Sequence, residues 1–346
     1  MGIHVLQLGP YPPPEGGVTR NMLAIRERLL DRGDRCSIIA TSRSTANNDG
    51  PDIYRPASAA ALVSLIRKID HDVLHLHLGG EINKRVLALC LAAATFGKHP
   101  VLSVHSGGYA KTPEALNANP RSARARVFRR FSRIIVVNQE LQDLFLRYGV
   151  PPDRIKVIAP FALTPPDPQV RASEQLESFA RSHSPFLLSV GGLEPDYDPL
   201  LLIELMKEVL ESHPKAGLMI IGGGSMREQV EKSVEESGYA TSILIAGDVP
   251  HAETLDLIAK ADSLLRITLF DGDAISVREA LFLGTPVIAT DNGMRPEGVR
   301  CVNVGDLAGI VRVVREALKL TIERPQRLHA DHQNIDKVLS LYDGLL

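Results

Sequence analysis

Short apolar runs recur along this chain, each followed by a stretch of helical periodicity, and that alternation is the strongest limit on its fold. In the first half the runs fall at residues 4–8, 36–40, 73–77, 101–105, 134–138 and 155–159, with amphipathic stretches such as 21–30 and 141–148 between them. In the second half they fall at 186–190, 218–221, 242–246, 264–267, 287–290 and 301–304, with helical patterns over 200–212, 226–237 and 307–320. Strands that are apolar nearly throughout need cover on both faces, which means parallel sheets flanked by helices. Two sets of about six predict an α/β protein of two Rossmann-like, doubly wound domains. A length of 346 residues suits two domains.

The rhythm breaks over 160–185, where Thr164-Pro-Pro-Asp-Pro precedes a polar, helix-like stretch. This predicts a first domain over 1–160, a linker over 161–185 and a second domain over 186–330. A last amphipathic helix is expected over 331–346. Open parallel sheets take ligands beyond the carboxyl ends of their strands. Two facing sheets would therefore place an active cleft between the domains, and the residues after each strand are where chemistry is sought.

Composition excludes several classes. With 44% hydrophobic and 23% charged residues, the chain can bury a sizeable core and is not disordered as a whole. No apolar run approaches the ~20 residues of a membrane span; the longest candidate, 86–96, follows Lys84 and Arg85. The first residues lack the basic region and cleavage site of a signal peptide, and Leu6 stands where myristoylation wants Ser or Thr. Cys36, Cys90 and Cys301 are too sparse for a disulfide framework and form no CxxC pair for zinc. A cytoplasmic location is expected.

The net charge of −2 hides an asymmetry. Residues 1–160 carry +9 and the remainder −11. A basic half points to an anionic partner: a membrane surface, a lipid phosphate or a nucleic acid. Arg121, Arg124, Arg126, Arg129, Arg130 and Arg133 interleave with Val127, Phe128 and Phe131. As a basic amphipathic helix, this stretch would lie on an anionic membrane; the other reading is a solvated helix face. With 5% aromatic residues, base stacking has little to work with, so nucleic acid is not expected.

Candidate site residues follow the strands. After the first, Gly16-Gly17 opens a helix that contains Arg20, where backbone can approach a ligand and free N–H groups can meet an anion; the alternative is turn geometry. After the fourth, His105 precedes small residues and can reach a sugar hydroxyl, or it is structural. In the second half, 218–221 runs into Gly222-Gly-Gly-Ser-Met, a turn able to pass close to a nucleotide, but without the GxGxxG spacing of dinucleotide binding. The most informative stretch is 268–293. A loop carries Asp271, a helix starts near Ala274, and Glu279 lies past its first turn. The amides of Ala274, Ile275 and Ser276 can hold a phosphate, Glu279 can accept from a ribose, and Asp271 can reach the sugar beyond. The alternative makes Asp271 a helix-start residue and Glu279 a solvated charge.

These features together resemble the retaining glycosyltransferases of family 4, which have the GT-B fold. The family's acidic pair matches Asp271 and Glu279, followed by Gly284-Thr-Pro-Val-Ile-Ala-Thr. Gly16-Gly17, the His105 strand end, Val190-Gly-Gly-Leu193, Ile220-Ile-Gly-Gly-Gly and Ile245-Ala-Gly-Asp-Val249 match in order, so the resemblance covers nearly the whole chain. The final helix, with Leu341-Tyr342, looks like the family's helix that crosses back to the first domain. The resemblance implies that Glu279 binds the donor ribose, Asp271 contacts the donor sugar, and His105 contacts the sugar and stabilises charge. It implies that Gly17 lets the backbone approach sugar and phosphate, that Gly192 and Gly223 lie along the donor, and that backbone near Val249 recognises the base.

Three departures stand out. The family's diphosphate-binding Arg and Lys fall on Gly192 and Asp198 here. Asp273 adds negative charge where the family has an apolar residue, and Asp271 is one methylene shorter than the Glu the family has there. Losing both cations would remove several kcal/mol of stabilisation from a departing diphosphate, since one oxyanion donor is worth ~3–4 kcal/mol. Arg20, Arg278 and above all Arg295 are the expected compensating cations.

The resulting expectation is a metal-independent, retaining transferase. It would move a sugar from a nucleotide-diphospho-sugar to a glycan or lipid-linked acceptor, as in cell-envelope polysaccharide synthesis. No cofactor is expected, and an anionic membrane surface is a candidate partner. The alternatives are a nucleotide-sugar epimerase or hydrolase of the same build, or a non-catalytic protein derived from a transferase.

Overall fold

The computed structural model describes residues 2–12, 16–42, 50–160, 162–269, 271, 273–293, 295–319, 324–325 and 328–346. It divides into two compact units, one of residues 1–162 with 331–346 and one of 163–330.

The first unit contains β1 (His4–Gly9), α1 (Gly17–Asp31), β2 (Arg35–Ala40), β3 (Ile53–Tyr54), α2 (Ala59–Lys68), β4 (Val73–Leu78), α3 (Lys84–Phe96), β5 (Val101–Val104), α4 (Pro113–Leu116), α5 (Ala123–Phe128), β6 (Arg133–Val136), α6 (Gln139–Arg147) and β7 (Ile155–Val157). The second contains α7 (Glu174–Ser182), β8 (Phe186–Val190), α8 (Pro199–Ser212), β9 (Gly217–Ile221), α9 (Arg227–Glu236), β10 (Ile243–Gly247), α10 (His251–Lys260), β11 (Ser263–Arg266), α11 (Ile275–Phe282), β12 (Val287–Thr290), β13 (Val299–Val302) and α12 (Leu307–Ala317). The last helix, α13 (Gln333–Asp343), belongs to the first unit.

Both sheets are parallel. The first runs β3-β2-β1-β4-β5-β6-β7 and the second β10-β9-β8-β11-β12-β13. Each order reverses once, between β1 and β4 and between β8 and β11, which is where doubly wound sheets open a ligand crevice. Alternate residues feed the two faces. Leu6, Leu8, Leu74 and Leu76 join one core cluster, while Val5 and Val73 join another with Ile25, Leu29 and the α13 residues Ile335, Val338, Leu339 and Tyr342. In the second unit Leu187, Leu265 and Ile288 face one way and Leu188, Leu264 and Val287 the other. Side-chain caps fix several helix starts: Ser58 on α2, Asn83 on α3, Asn138 on α6 and Asp306 on α12.

Several details differ from the sequence reading. The two-residue β3 was not foreseen, and the final strand lies at Val299–Val302 rather than 301–304. The helix expected over 307–320 is described to Ala317, and position 320 lies outside the described residues. Of the expected linker 161–185, residues from 163 onward fall in the second unit. There Leu176 of α7 joins a core cluster, and the Ala172 N–H donates to Asp256 at 3.2 Å. No helix among the described residues is long and apolar enough to cross a membrane.

The basic membrane helix is corrected. Only Ala123–Phe128 is helical, and Val127, Phe128 and Phe131 are buried in the first unit's core. Arg124 donates to the Ile82 carbonyl, Arg129 to those of Pro120 and Tyr148, and Arg133 to that of Ser132. The apolar side that would enter a membrane is thus spent on the core, and half the arginines tie down loops.

Tyr342 anchors α13. Its ring is fully buried, and its hydroxyl lies 2.5 Å from His75 Nδ1 on β4. Tyr342→Phe keeps the packing but strands a buried imidazole nitrogen, so urea unfolding should show the first unit destabilised by about 1–3 kcal/mol.

Candidate functional site

The carboxyl edge of the second sheet gathers three buried charges. Arg266 ends β11, and its guanidinium turns back beneath the loop after β8. Nε and Nη2 donate to the two carboxylate oxygens of Asp271 at 2.8 and 3.1 Å. Nη1 donates to the Val190 carbonyl at 2.5 Å, and the Tyr197 ring centroid is 4.7 Å from Cζ. Arg295, in the loop after β12, donates from Nη1 to Asp271 Oδ2 at 3.0 Å and from Nε to the Thr290 carbonyl at 2.9 Å. Asp271 thus lies between two guanidinium groups, with side-chain exposures of 8% for Arg266, 3% for Arg295 and 7% for Asp271. Burial opposes ionisation of Asp271, but the two arginines outweigh it and hold its pKa below the ordinary carboxylate value.

This placement revises the expected cations. Arg295 is buried against Asp271. Arg278 pairs with Asp273 at 2.6 Å, so the extra carboxylate and its neighbouring cation answer each other. Arg266 escaped the sequence reading. Its signal was a charged residue inside an apolar strand, which is rarely buried without a partner.

Helix α11 begins beside this cluster. Ala274 is its N-cap, with no side-chain cap among the described residues, and Ile275 and Ser276 form its first turn. Ser276 Oγ lies 3.4 Å from the Val190 carbonyl. Glu279 is buried and accepts a hydrogen bond from His251 Nε2 at 2.6 Å, at the start of α10. No motif or spacing marks His251 in the sequence. Val249, two residues earlier, is half-buried after β10.

The glycines separate into two kinds. Gly222 has φ +131°, and a Cβ there would overlap the Gly191 carbonyl; a Cβ on Gly224 would overlap that of Leu193. Those glycines serve the packing of two adjoining loops. Gly223 accepts from the Leu193 N–H at 2.8 Å, and its Cβ position is 3.6 Å from the Asp248 carboxylate. A Cβ on Gly192 meets only ordinary contacts at 3.6–3.7 Å, so that position has room for a side chain.

In the first unit, Gly16 and Gly17 begin α1, and a Cβ on either meets nothing within 4 Å among the described residues. Gly16 has φ −148°, open to any residue, so the turn-geometry reading loses its support. Arg20 is half-buried one turn into α1. His105 follows β5, its N–H bonded to the Leu78 carbonyl at 2.8 Å and its Nε2 3.2 Å from His77 Nδ1. Burial pushes its pKa down to about 4. His75 and His77, fully enclosed on β4, are held well below the ordinary value for the same reason. No group of three or more His, Cys, Asp or Glu among the described residues is arranged to hold a metal ion.

Residues 171–321 match the family Glycosyl transferases group 1, and residues 15–162 match Glycosyltransferase Family 4. The D-inositol 3-phosphate glycosyltransferase of Corynebacterium efficiens is 24% identical over 259 residues, 70% of this chain and 61% of the relative. The GDP-mannose-dependent alpha-(1-6)-phosphatidylinositol monomannoside mannosyltransferase of Mycolicibacterium smegmatis is 25% identical over 65% of this chain and 58% of its own length. The matches thus span about three-fifths of these curated relatives. Among solved structures, Anabaena HepE in complex with UDP and glucose superposes with a TM-score of 0.69 at 15% identity, covering 99% of this chain and all of that one. Sucrose-phosphate synthase from Thermosynechococcus elongatus gives 0.68 at 16% identity, with 99% of both chains covered. These likenesses establish the GT-B fold.

The buried cluster makes two predictions. Asp271→Ala leaves two guanidinium groups without their counter-ion, so urea unfolding of the second unit should lose about 3–5 kcal/mol. Because the folded pKa of Asp271 is depressed, its contribution is full above pH ~4 and is lost as pH falls through the folded value. Asp271→Asn should remove that part of the acid dependence.

Proposed function

The chain carries a Glycosyltransferase Family 4 domain followed by a glycosyl transferases group 1 domain, and from this we propose that it transfers a sugar from a nucleoside-diphosphate sugar to an acceptor hydroxyl with retention of configuration. The observation that carries the proposal is the Arg266–Asp271–Arg295 cluster beside the start of α11. Two guanidinium groups against one carboxylate leave one net positive charge at the carboxyl ends of β11 and β12. That charge, with the first-turn amides of α11, suits a diphosphate leaving group. In this reading Arg266 and Arg295 replace the cations missing at Gly192 and Asp198, and transition-state charge needs no metal.

Glu279, oriented by His251, accepts from the ribose hydroxyls. Asp271 sets the positions of both arginines. Gly16, Gly17 and Arg20 present backbone and charge to the transferred sugar and phosphate, and His105 bonds a sugar oxygen. In the reaction the bond from the sugar's anomeric carbon to the diphosphate oxygen breaks on the face where the acceptor oxygen bonds. The acceptor proton passes to the departing diphosphate, so no side chain has to become a covalent nucleophile. The relative named for GDP-mannose and the neighbour holding UDP leave two bases in view. The phosphoinositide-related names of the relatives favour a polyol or lipid-linked acceptor.

A thermal-shift panel with UDP, GDP, CMP, ADP and dTDP, with and without EDTA, tests the reading. One nucleoside diphosphate should raise the melting temperature regardless of EDTA, and Glu279→Ala should abolish the shift. Arg295→Ala should cut turnover at least tenfold. No shift with any nucleotide would replace the proposal with a non-catalytic descendant of a transferase, and donor turnover without acceptor would replace it with a hydrolase or epimerase.

A further inference from the structure

Two imidazoles of the first unit share one hydrogen bond and leave two nitrogens over. His77 Nδ1 and His105 Nε2 are 3.2 Å apart, with ring planes 21° from parallel. His77 Nε2 and His105 Nδ1 are both out of solvent and lack a hydrogen-bond partner among the described residues. Burial keeps both rings neutral near pH 7. A hydrogen bond between neutral imidazoles holds one proton, so one of the two remaining nitrogens is an N–H donor and the other a bare lone pair.

The two assignments differ in where the unmet donor lies. If His105 Nε2 carried the shared proton, the unmet donor would be His77 Nε2–H. His77 lies within β4, 2% exposed, with its ring centroid 3.8 Å from that of His75. Nothing can reach a donor there, and its desolvation would go unanswered. If His77 Nδ1 carries the proton, the unmet donor is His105 Nδ1–H, one residue beyond β5; that nitrogen is covered in the unliganded chain, but it belongs to a side chain that is only half-buried. The end of β5 is the strand edge at which ligands meet parallel sheets.

We propose that His77 is a positioning residue that fixes His105 as the Nδ1–H tautomer, so that His105 offers a hydrogen-bond donor to a hydroxyl or phosphoryl oxygen of the substrate. His77 is itself held in place. The His75 ring beside it is clamped by Tyr342 Oη at 2.5 Å and Ser103 Oγ at 2.7 Å. Helix α13 thereby braces the ring that orients His105. The tautomer assignment stands on the histidine geometry alone, whereas its role toward substrate rests on the transferase reading above.

Long-range 1H–15N spectra of the histidine rings in the full, unliganded chain at pH 7 test the assignment. The expected result is a protonated Nδ1 and a bare Nε2 on His105. His77→Phe should mix the tautomers and lower kcat at least tenfold with the donor KM nearly unchanged. His77→Asn, whose amide nitrogen can donate from near the lost Nδ1, should restore both. A protonated Nε2 on His105 in the parent, or a His77→Phe variant with the parent's tautomer or turnover, would overturn the proposal. So would a His77→Asn variant as impaired as His77→Phe. If the tautomers follow His77 while the parent transfers no sugar, the transferase reading fails and the tautomer assignment holds.

Discussion

The second unit is organised around a carboxylate that neutralises half of a buried charge pair. Two guanidinium groups within one site repel each other strongly where water is excluded. Asp271 accepts from both and leaves a single net charge behind. The same contacts fix three loops at once, because Arg266 also holds the Val190 carbonyl and Arg295 the Thr290 carbonyl. Strand ends β8, β11 and β12 are thus registered to one another by side chains as well as by the sheet. Under the proposed reading, the two guanidinium groups are already oriented before a donor diphosphate binds, and pre-organisation of this kind gives buried charge its effect on leaving groups.

Much of this architecture was legible in the sequence, for a physical reason. A buried parallel strand is a run such as 287–290 with no polar side, and a helix over it repeats its apolar face every three to four residues. Such signals are local and survive without knowledge of contacts. What was not legible depended on partners distant in sequence. The two residues of β3 are too few to show a pattern. The arginines of 121–133 looked like one helical face, yet several bond carbonyls up to 42 positions away. Only the fold reveals that Phe128 and Phe131 point inward.

The site divides along the same line. Asp271, Glu279 and the start of α11 were visible as spacing. The pairing that gives Asp271 its neighbours was not, because Arg266 hides in an apolar strand and Arg295 arrives from 24 positions away. Likewise His105 could be named from its place after a strand, whereas its link to His77 depends on two strands being adjacent in the sheet. Glycines mislead in both directions. Gly222 and Gly224 resemble a ligand loop but are required by neighbouring carbonyls, while a Cβ on Gly16 or Gly17 meets nothing among the described residues.

The placement of α13 has a consequence for biosynthesis. Residues 163–330 form one uninterrupted stretch and can close their core as soon as they leave the ribosome. The first unit cannot, because Val5, Ile25 and Val73 await Ile335, Leu339 and Tyr342, made some three hundred residues later. The nascent protein therefore carries an unsealed apolar face while the whole second unit is made, a period in which such surfaces invite aggregation or chaperone binding. The segment that seals the first unit is made only after the second is finished.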